Sequence, residues 1–191
     1  MTIFLILAPY GAYSFLMLVT TAAVSVFAAS AICLVTVAID VACGRSVKML
    51  AAGSAVVFAG IGLYLALLDP QLGTLGVKLA VDLGVFIISL GSLLVRRPFT
   101  LQYALESVPA ETAAMPGFLT ANYVITGAWT LAALAMAAAN LVLLYVPGLP
   151  LWSSLAVAFA ARNSAIYFTK WYPGYRQIKY GTPARALPNA R

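Results

Sequence analysis

Residues 75–98 read LGVKLAVDLGVFIISLGSLLVRRP, and this stretch decides the fold. It is about one bilayer thickness of apolar residues, closed by Arg96, Arg97 and Pro98. Two ionisable groups, Lys78 and Asp82, lie inside it. A charge at membrane depth costs at least ~2.5 kcal/mol, so it requires a partner or a purpose. Gly76, Ala80 and Gly84 recur at every fourth residue and form one narrow stripe along a helix, a close-packing face. The charged pair is offset from that stripe by about 200° around the axis. One face can take a near neighbour while the opposite face carries the charges. That pattern suits a helix central in a bundle.

Composition agrees. Of 191 residues, 63% are hydrophobic and 8% charged, against roughly 25% charged in soluble domains. So few charges cannot cover a water-facing surface of this size; hydrocarbon as the surrounding solvent removes the difficulty. The net charge of +6 does not point to nucleic acid, because the basic residues stand at the ends of apolar runs. Histidine is absent, which excludes histidine-ligated haem, histidine metal sites and histidine acid–base catalysis in this chain. Cys33 and Cys43 have no C-x-x-C spacing and read as two free thiols. No metal, cofactor or catalytic set is expected.

Hydropathy divides the chain into five spans at about 12–39, 49–68, 75–95, 118–146 and 151–169. Residues 1–39 carry no charge and are too long for one crossing; Pro9-Tyr10-Gly11 is the expected break, with 1–8 at the interface. No basic residue precedes the first span, so an uncleaved start is expected. Asp69-Pro70 stops the second span, which has its own small-residue face at Ala51, Ala55 and Ala59. Residues 99–108 place Leu101, Ala104, Leu105 and Val108 on one face and Gln102 and Glu106 on another, a short amphipathic helix at the interface. Glu106 and Glu111 read as solvated carboxylates, with no nucleophile or metal ligand beside them.

Basic residues set the orientation. Arg45 and Lys48 follow span one, Arg96 and Arg97 follow span three, Lys78 and Arg162 lie within spans, and the rest are in the tail from 170. The alternate connections have none. The expected threading is N-terminus outside and C-terminus cytoplasmic. The tail, 170–191, interleaves Lys170, Trp171, Arg176 and Lys179 with tyrosines. With Arg96 and Arg97, these are candidate contacts for anionic lipid or a membrane partner.

Asp82 is the one acid well inside an expected span, and Arg162 lies eleven residues into the fifth. Their depths differ by four residues, roughly 6 Å. An intramembrane Asp82–Arg162 pair is expected, with Lys78 as the competing partner.

The run Arg97-Pro98-Phe99-Thr100-Leu101-Gln102-Tyr103-Ala104 continues through Val108-Pro109, Phe118, Asn122, Ile125-Thr126 and Trp129. It resembles a group of uncharacterised bacterial integral membrane proteins that carry R-P-F-T-x-Q-Y-A before an N-x-x-I-T-x-x-W span. These are distantly similar to the intracellular septation protein A family. Leu105-Glu106 stands where that group often has Arg-Glu. The resemblance implies a multi-pass protein of the bacterial inner (cytoplasmic) membrane and supplies no catalytic residues.

The expectation is therefore an all-α, non-catalytic transmembrane bundle that acts as an accessory subunit or scaffold of a membrane complex. Its partners would be membrane lipids and other subunits or copies of itself. The alternative is a small oligomeric channel or carrier for an ion or small solute, using Asp82 and Arg162. Polar residues from several spans converging on one cavity would favour that alternative.

Overall fold

A computed structural model describes residues 2–146 and 148–180, and among these no strand forms. In chain order the helices are α1 Thr2–Val19, α2 Ala22–Ala42, α3 Met49–Leu67, α4 Thr74–Leu94, α5 Phe99–Ser107, α6 Ala110–Ala113, α7 Phe118–Tyr145 and α8 Trp152–Tyr180. Four of them, α2, α3, α4 and α7, are long and apolar enough to cross a membrane. Their outer surfaces are apolar: Val56 of α3 and Leu131 of α7 are each at least 68% exposed. Serines, threonines and asparagines are meanwhile buried, among them Ser30, Ser54, Thr126 and Asn140. Apolar outside and polar inside is the order that hydrocarbon imposes.

The expected single helix over 12–39 is instead two. Pro9 sits within α1, and the chain breaks at Thr20 and Thr21. Thr20 Oγ1 donates to the Leu16 carbonyl at 2.8 Å, and Thr21 Oγ1 accepts from Val24 N at 3.4 Å to cap α2. Hydroxyls that bond the backbone locally compete with the helix ladder, whereas Pro9, eight residues into α1, removes one bond of that ladder without ending the helix. α1 and α2 thus form a hairpin. Tyr10 and Tyr13 of α1 meet Phe58 of α3 at ring-centroid distances of 5.7 and 5.6 Å. Val26, Ala29, Cys33 and Ala55 join that core, with Leu65 of α3 and Val77 and Val81 of α4.

Successive long helices pack side by side: α1 on α2, α2 on α3, α3 on α4, α4 on α7, α7 on α8. Between α3 and α4 the approach is close. A Cβ on Gly84 would run into Val57, and one on Gly53 would lie 2.9 Å from Ile88. Gly84 of the expected stripe therefore serves helix packing, Ala80 is half-buried, and Gly76 lies against Leu72, just before α4.

Two helix ends share one cap. At α2, Gly44 N and Arg45 N reach back to Val41 O and Asp40 O at 3.0 and 2.8 Å. At α4, Arg96 N and Arg97 N reach Leu93 O and Ser92 O at 3.0 and 2.9 Å. Both patterns close the last orphan carbonyls with a left-handed residue. Gly44 supplies φ 67° at α2; at α4 it is Arg96, at φ 58°.

α8 does not stop near 169. It continues to Tyr180 with Pro173 inside it, so the first half of the expected tail is helical; residues 181–191 lie outside the described residues.

Candidate functional site: a crevice beneath the amphipathic helix

α5 is fastened to three other helices by side-chain bonds. Ser92 Oγ, at the end of α4, accepts from Phe99 N at 3.2 Å, and the Phe99 ring is buried. Thr100 Oγ1 donates to Asn122 O at 3.0 Å and shares a 2.7 Å hydrogen bond with Thr126 Oγ1, both on α7. Gln102 Oε1 accepts from Met49 N at 2.7 Å and so satisfies an orphan donor at the start of α3. The residues of the R-P-F-T-x-Q-Y-A run are thus fastenings between helices.

One turn further on, Glu106 receives the ammonium of Lys48. Lys48 is only 2% exposed; it also donates to Ser46 O at 2.9 Å and lies 3.7 Å from Asp40 Oδ2. Arg45 Nε is 3.1 Å from Asp40 Oδ1. The Lys48 hydrogen bond holds the Glu106 carboxyl below the usual carboxylate range. Burial pushes the neighbouring Tyr103 phenol up. Glu106, expected to be merely solvated, closes a four-residue charge network. Sequence reading also missed Asp40, which is 7% exposed. Its only signal was the i, i+5, i+8 spacing to Arg45 and Lys48.

Under α5 lies a crevice of about 930 Å³. α4 contributes Asp82, Val85 and Ser89, α7 contributes Ile125, Trp129 and Met136, and α8 contributes Arg162, Thr169 and Arg176. Tyr10 of α1, Leu50 of α3 and the 107–118 connection complete the wall. On α8 the lining runs from Arg162 to Arg176, a helical rise of about 21 Å. At one end a Cβ on Gly117, at φ 89°, would collide with the Arg176 guanidinium. Trp129 Nε1 donates to Thr169 Oγ1 at 3.0 Å and ties α7 to α8 along the wall.

Asp82 and Arg162 face this one crevice, but the expected ion pair between them does not form. Among the described residues the salt bridges are those of Asp40, Lys48, Arg45 and Glu106. Asp82 Oδ2 instead accepts from Asn140 Nδ2 of α7 at 2.7 Å. An amide on the adjoining helix reaches the carboxylate directly, whereas Arg162 approaches from α8, beyond α7. Lys78 is half-buried one turn from Asp82, does not line the crevice, and forms no salt bridge. Asn140 was visible in the sequence as a polar residue within a span; nothing there paired it with Asp82.

No protein-family model, curated protein or solved structure matches this chain. No cluster of three or more histidine, cysteine, aspartate or glutamate side chains that could hold a metal occurs among the described residues. Cys33 is buried and Cys43 exposed, both as free thiols. Of the expected surface contacts, Arg96, Arg97, Lys170 and Trp171 are exposed, and Lys179 Nζ lies 5.6 Å from the Tyr175 ring centre. Trp171 and Tyr175 stack at 4.8 Å on α8. Arg176 is the one of this group that lines the crevice.

Proposed function

We propose that this chain is a multi-pass protein of the bacterial inner membrane that binds a small organic molecule in the crevice, as a carrier or solute-binding subunit. The observation that supports this most is convergence. Tyr10, Asp82, Trp129, Arg162 and Thr169 come from four different helices and face one cavity. Its volume, about 930 Å³, suits a site that encloses most of a drug-sized ligand. A wall mainly apolar with a few polar groups is the usual composition of such sites. Catalysis is not part of the proposal: the wall holds no nucleophile beside a base.

The threading we infer has α1 and α8 crossing alongside the four long apolar helices. α1 pairs with α2 through a two-residue turn, which returns residues 2–7 towards the end of the bundle that bears Arg45. Lys48 meets Glu106 and Gly117 meets Arg176, so the basic connections gather at that same end. By the positive-inside rule this end is cytoplasmic, with the start of α1 and the end of α8 there. That differs from the five-span expectation, in which residues 1–8 lay at the outer interface.

Mass spectrometry of the protein released from gentle detergent tests the binding reading. The wild type carries a bound organic molecule in defined stoichiometry, and Ala121→Trp with Ala133→Trp, which fills the crevice, abolishes it. Equal adducts on both forms would overturn the reading. The scaffold reading retains one observation in its favour: the exposed Trp171–Tyr175 stack beside Lys170 offers an aromatic and basic face to lipid or a partner. A stoichiometric complex with another membrane protein would support it.

A further inference from the structure

Apart from Arg176, which lines the far end about 21 Å along α8, two opposite charges face the same crevice and do not join. Asp82 projects from α4 and Arg162 from α8, and both line the wall. Asn140 donates to Asp82, while no hydrogen bond or ion pair to Arg162 occurs among the described residues. A guanidinium has five donors and no way to shed its charge. Facing a largely apolar wall, those donors are best met by an anionic acceptor. A second unmet group lies along the same wall: Ser89, two turns beyond Asp82 on α4, is 1% exposed and its hydroxyl has no partner.

The pairing chemistry constrains the ligand. A simple anion would satisfy Arg162 but set its charge against Asp82. A simple cation would do the reverse. A dipolar ion meets both and carries no net charge into the low-dielectric cavity. The remaining wall, with Ile125, Trp129 and Met136, calls for a bulky apolar body. The space is larger than a free natural amino acid needs.

We propose that the crevice binds an amino-carboxylate zwitterion bearing a large apolar body, with its ammonium towards Asp82 and its carboxylate on the Arg162 guanidinium. This rests on the ligand-binding reading of the crevice given above. Carboxylate and guanidinium match as a planar two-pronged pair. Ser89 is placed to take a further polar atom of the ligand.

The test uses the full chain in lipid nanodiscs with three probes of one shape: biphenylalanine, biphenylpropionate and biphenylethylamine. The readout is the melting temperature, followed through labelling of the buried Cys33 thiol in a Cys43→Ser background. At ten times its Kd, biphenylalanine raises Tm by about 3–6 °C, and the singly charged analogues raise it by less than half as much. Arg162→Gln shifts the preference to the amine, and Asp82→Asn shifts it to the propionate. Arg162→Lys keeps the zwitterion first, and decides the matter should Arg162→Gln fail to fold. If a singly charged analogue matches biphenylalanine in the wild type, or the variants leave the preference unmoved, the zwitterion assignment falls while binding in the crevice stands. If no probe shifts Tm, and the mass-spectrometric adduct is also absent, both fall. An adduct without any probe shift overturns the zwitterion assignment alone.

Discussion

Lys48 is the residue whose removal tells most about how the end of the bundle that bears Arg45 is held. Lys48→Met keeps the apolar stem and deletes the ammonium, which is 3% exposed and serves Asp40, Glu106 and the Ser46 carbonyl. Stripping one partner from a buried pair costs roughly 3–5 kcal/mol. Two features reduce that here. Arg45 stays 3.1 Å from Asp40, whose side chain is only 10% exposed, and Glu106, at 31%, can rehydrate. The expected loss is about 2–3 kcal/mol, or about 4–12 °C in Tm for a chain of this size. Cys33, 1% exposed, is a built-in reporter: a fluorogenic maleimide reaches it only on unfolding, once Cys43→Ser has removed the exposed thiol. Adding Glu106→Gln removes the carboxylate whose one salt bridge was to Lys48 and recovers part of the lost stability. Should Lys48→Met melt within about 1 °C of its parent, or the double variant prove no better than the single, the network does not support α5 and the reasoning fails.

Other expectations follow from the same geometry. Because Glu106 has a depressed pKa, its contribution is present above the unfolded value of about 4.3 and is lost as pH falls through the lower folded value. Hydrogen exchange of α5 amides, corrected for intrinsic rates, accelerates at that acid end, and Glu106→Gln removes the pH dependence; a flat profile in the wild type refutes it. Gly84→Leu forces Val57 aside and costs about 1–3 kcal/mol, whereas Gly91→Ala, where a Cβ meets nothing within 4 Å, is neutral by the Cys33 melt. Arg96→Val places a β-branched residue at φ 58° and loses about 1–2 kcal/mol, while Arg96→Gly does not; equal melts would discount the strain. Cys43, exposed beyond α2, reacts with a membrane-impermeant maleimide only from the cytoplasmic side; labelling in intact cells contradicts the threading.

Hydropathy was a good guide wherever a helix is bounded by strong stops. The apolar runs read at 49–68, 75–95 and 118–146 fold as α3 Met49–Leu67, α4 Thr74–Leu94 and α7 Phe118–Tyr145. Asp69-Pro70 and Arg96-Arg97-Pro98 mark two of those ends by chemistry that composition alone reveals. At the first helices the guide failed, since two threonines leave almost no trace in a hydropathy window, while Pro9 looked like the stronger signal. The crevice was half legible. Asp82 and Arg162 announced themselves as ions in apolar surroundings. That Asn140 would take Asp82 depended on the facing of α4 and α7, a three-dimensional relation with no spacing to betray it. Lys48, Asp40 and Glu106 were hidden for a related reason: their ties cross 58 residues of chain between Lys48 and Glu106.

The threonine turn between α1 and α2 also bears on how the protein enters a bilayer. On the threading proposed here, the segments that must be carried across the hydrocarbon are Thr20–Thr21, the short link after Leu67 and the link after Tyr145. Together they contain one charged side chain, Asp69, whose Oδ1 is already occupied by Gln71 N at 3.0 Å. Each pair of helices can therefore slip in as a closed hairpin without dragging a hydrated loop through oil. The guanidinium and ammonium groups of the other links stay behind, where the machinery of synthesis leaves them.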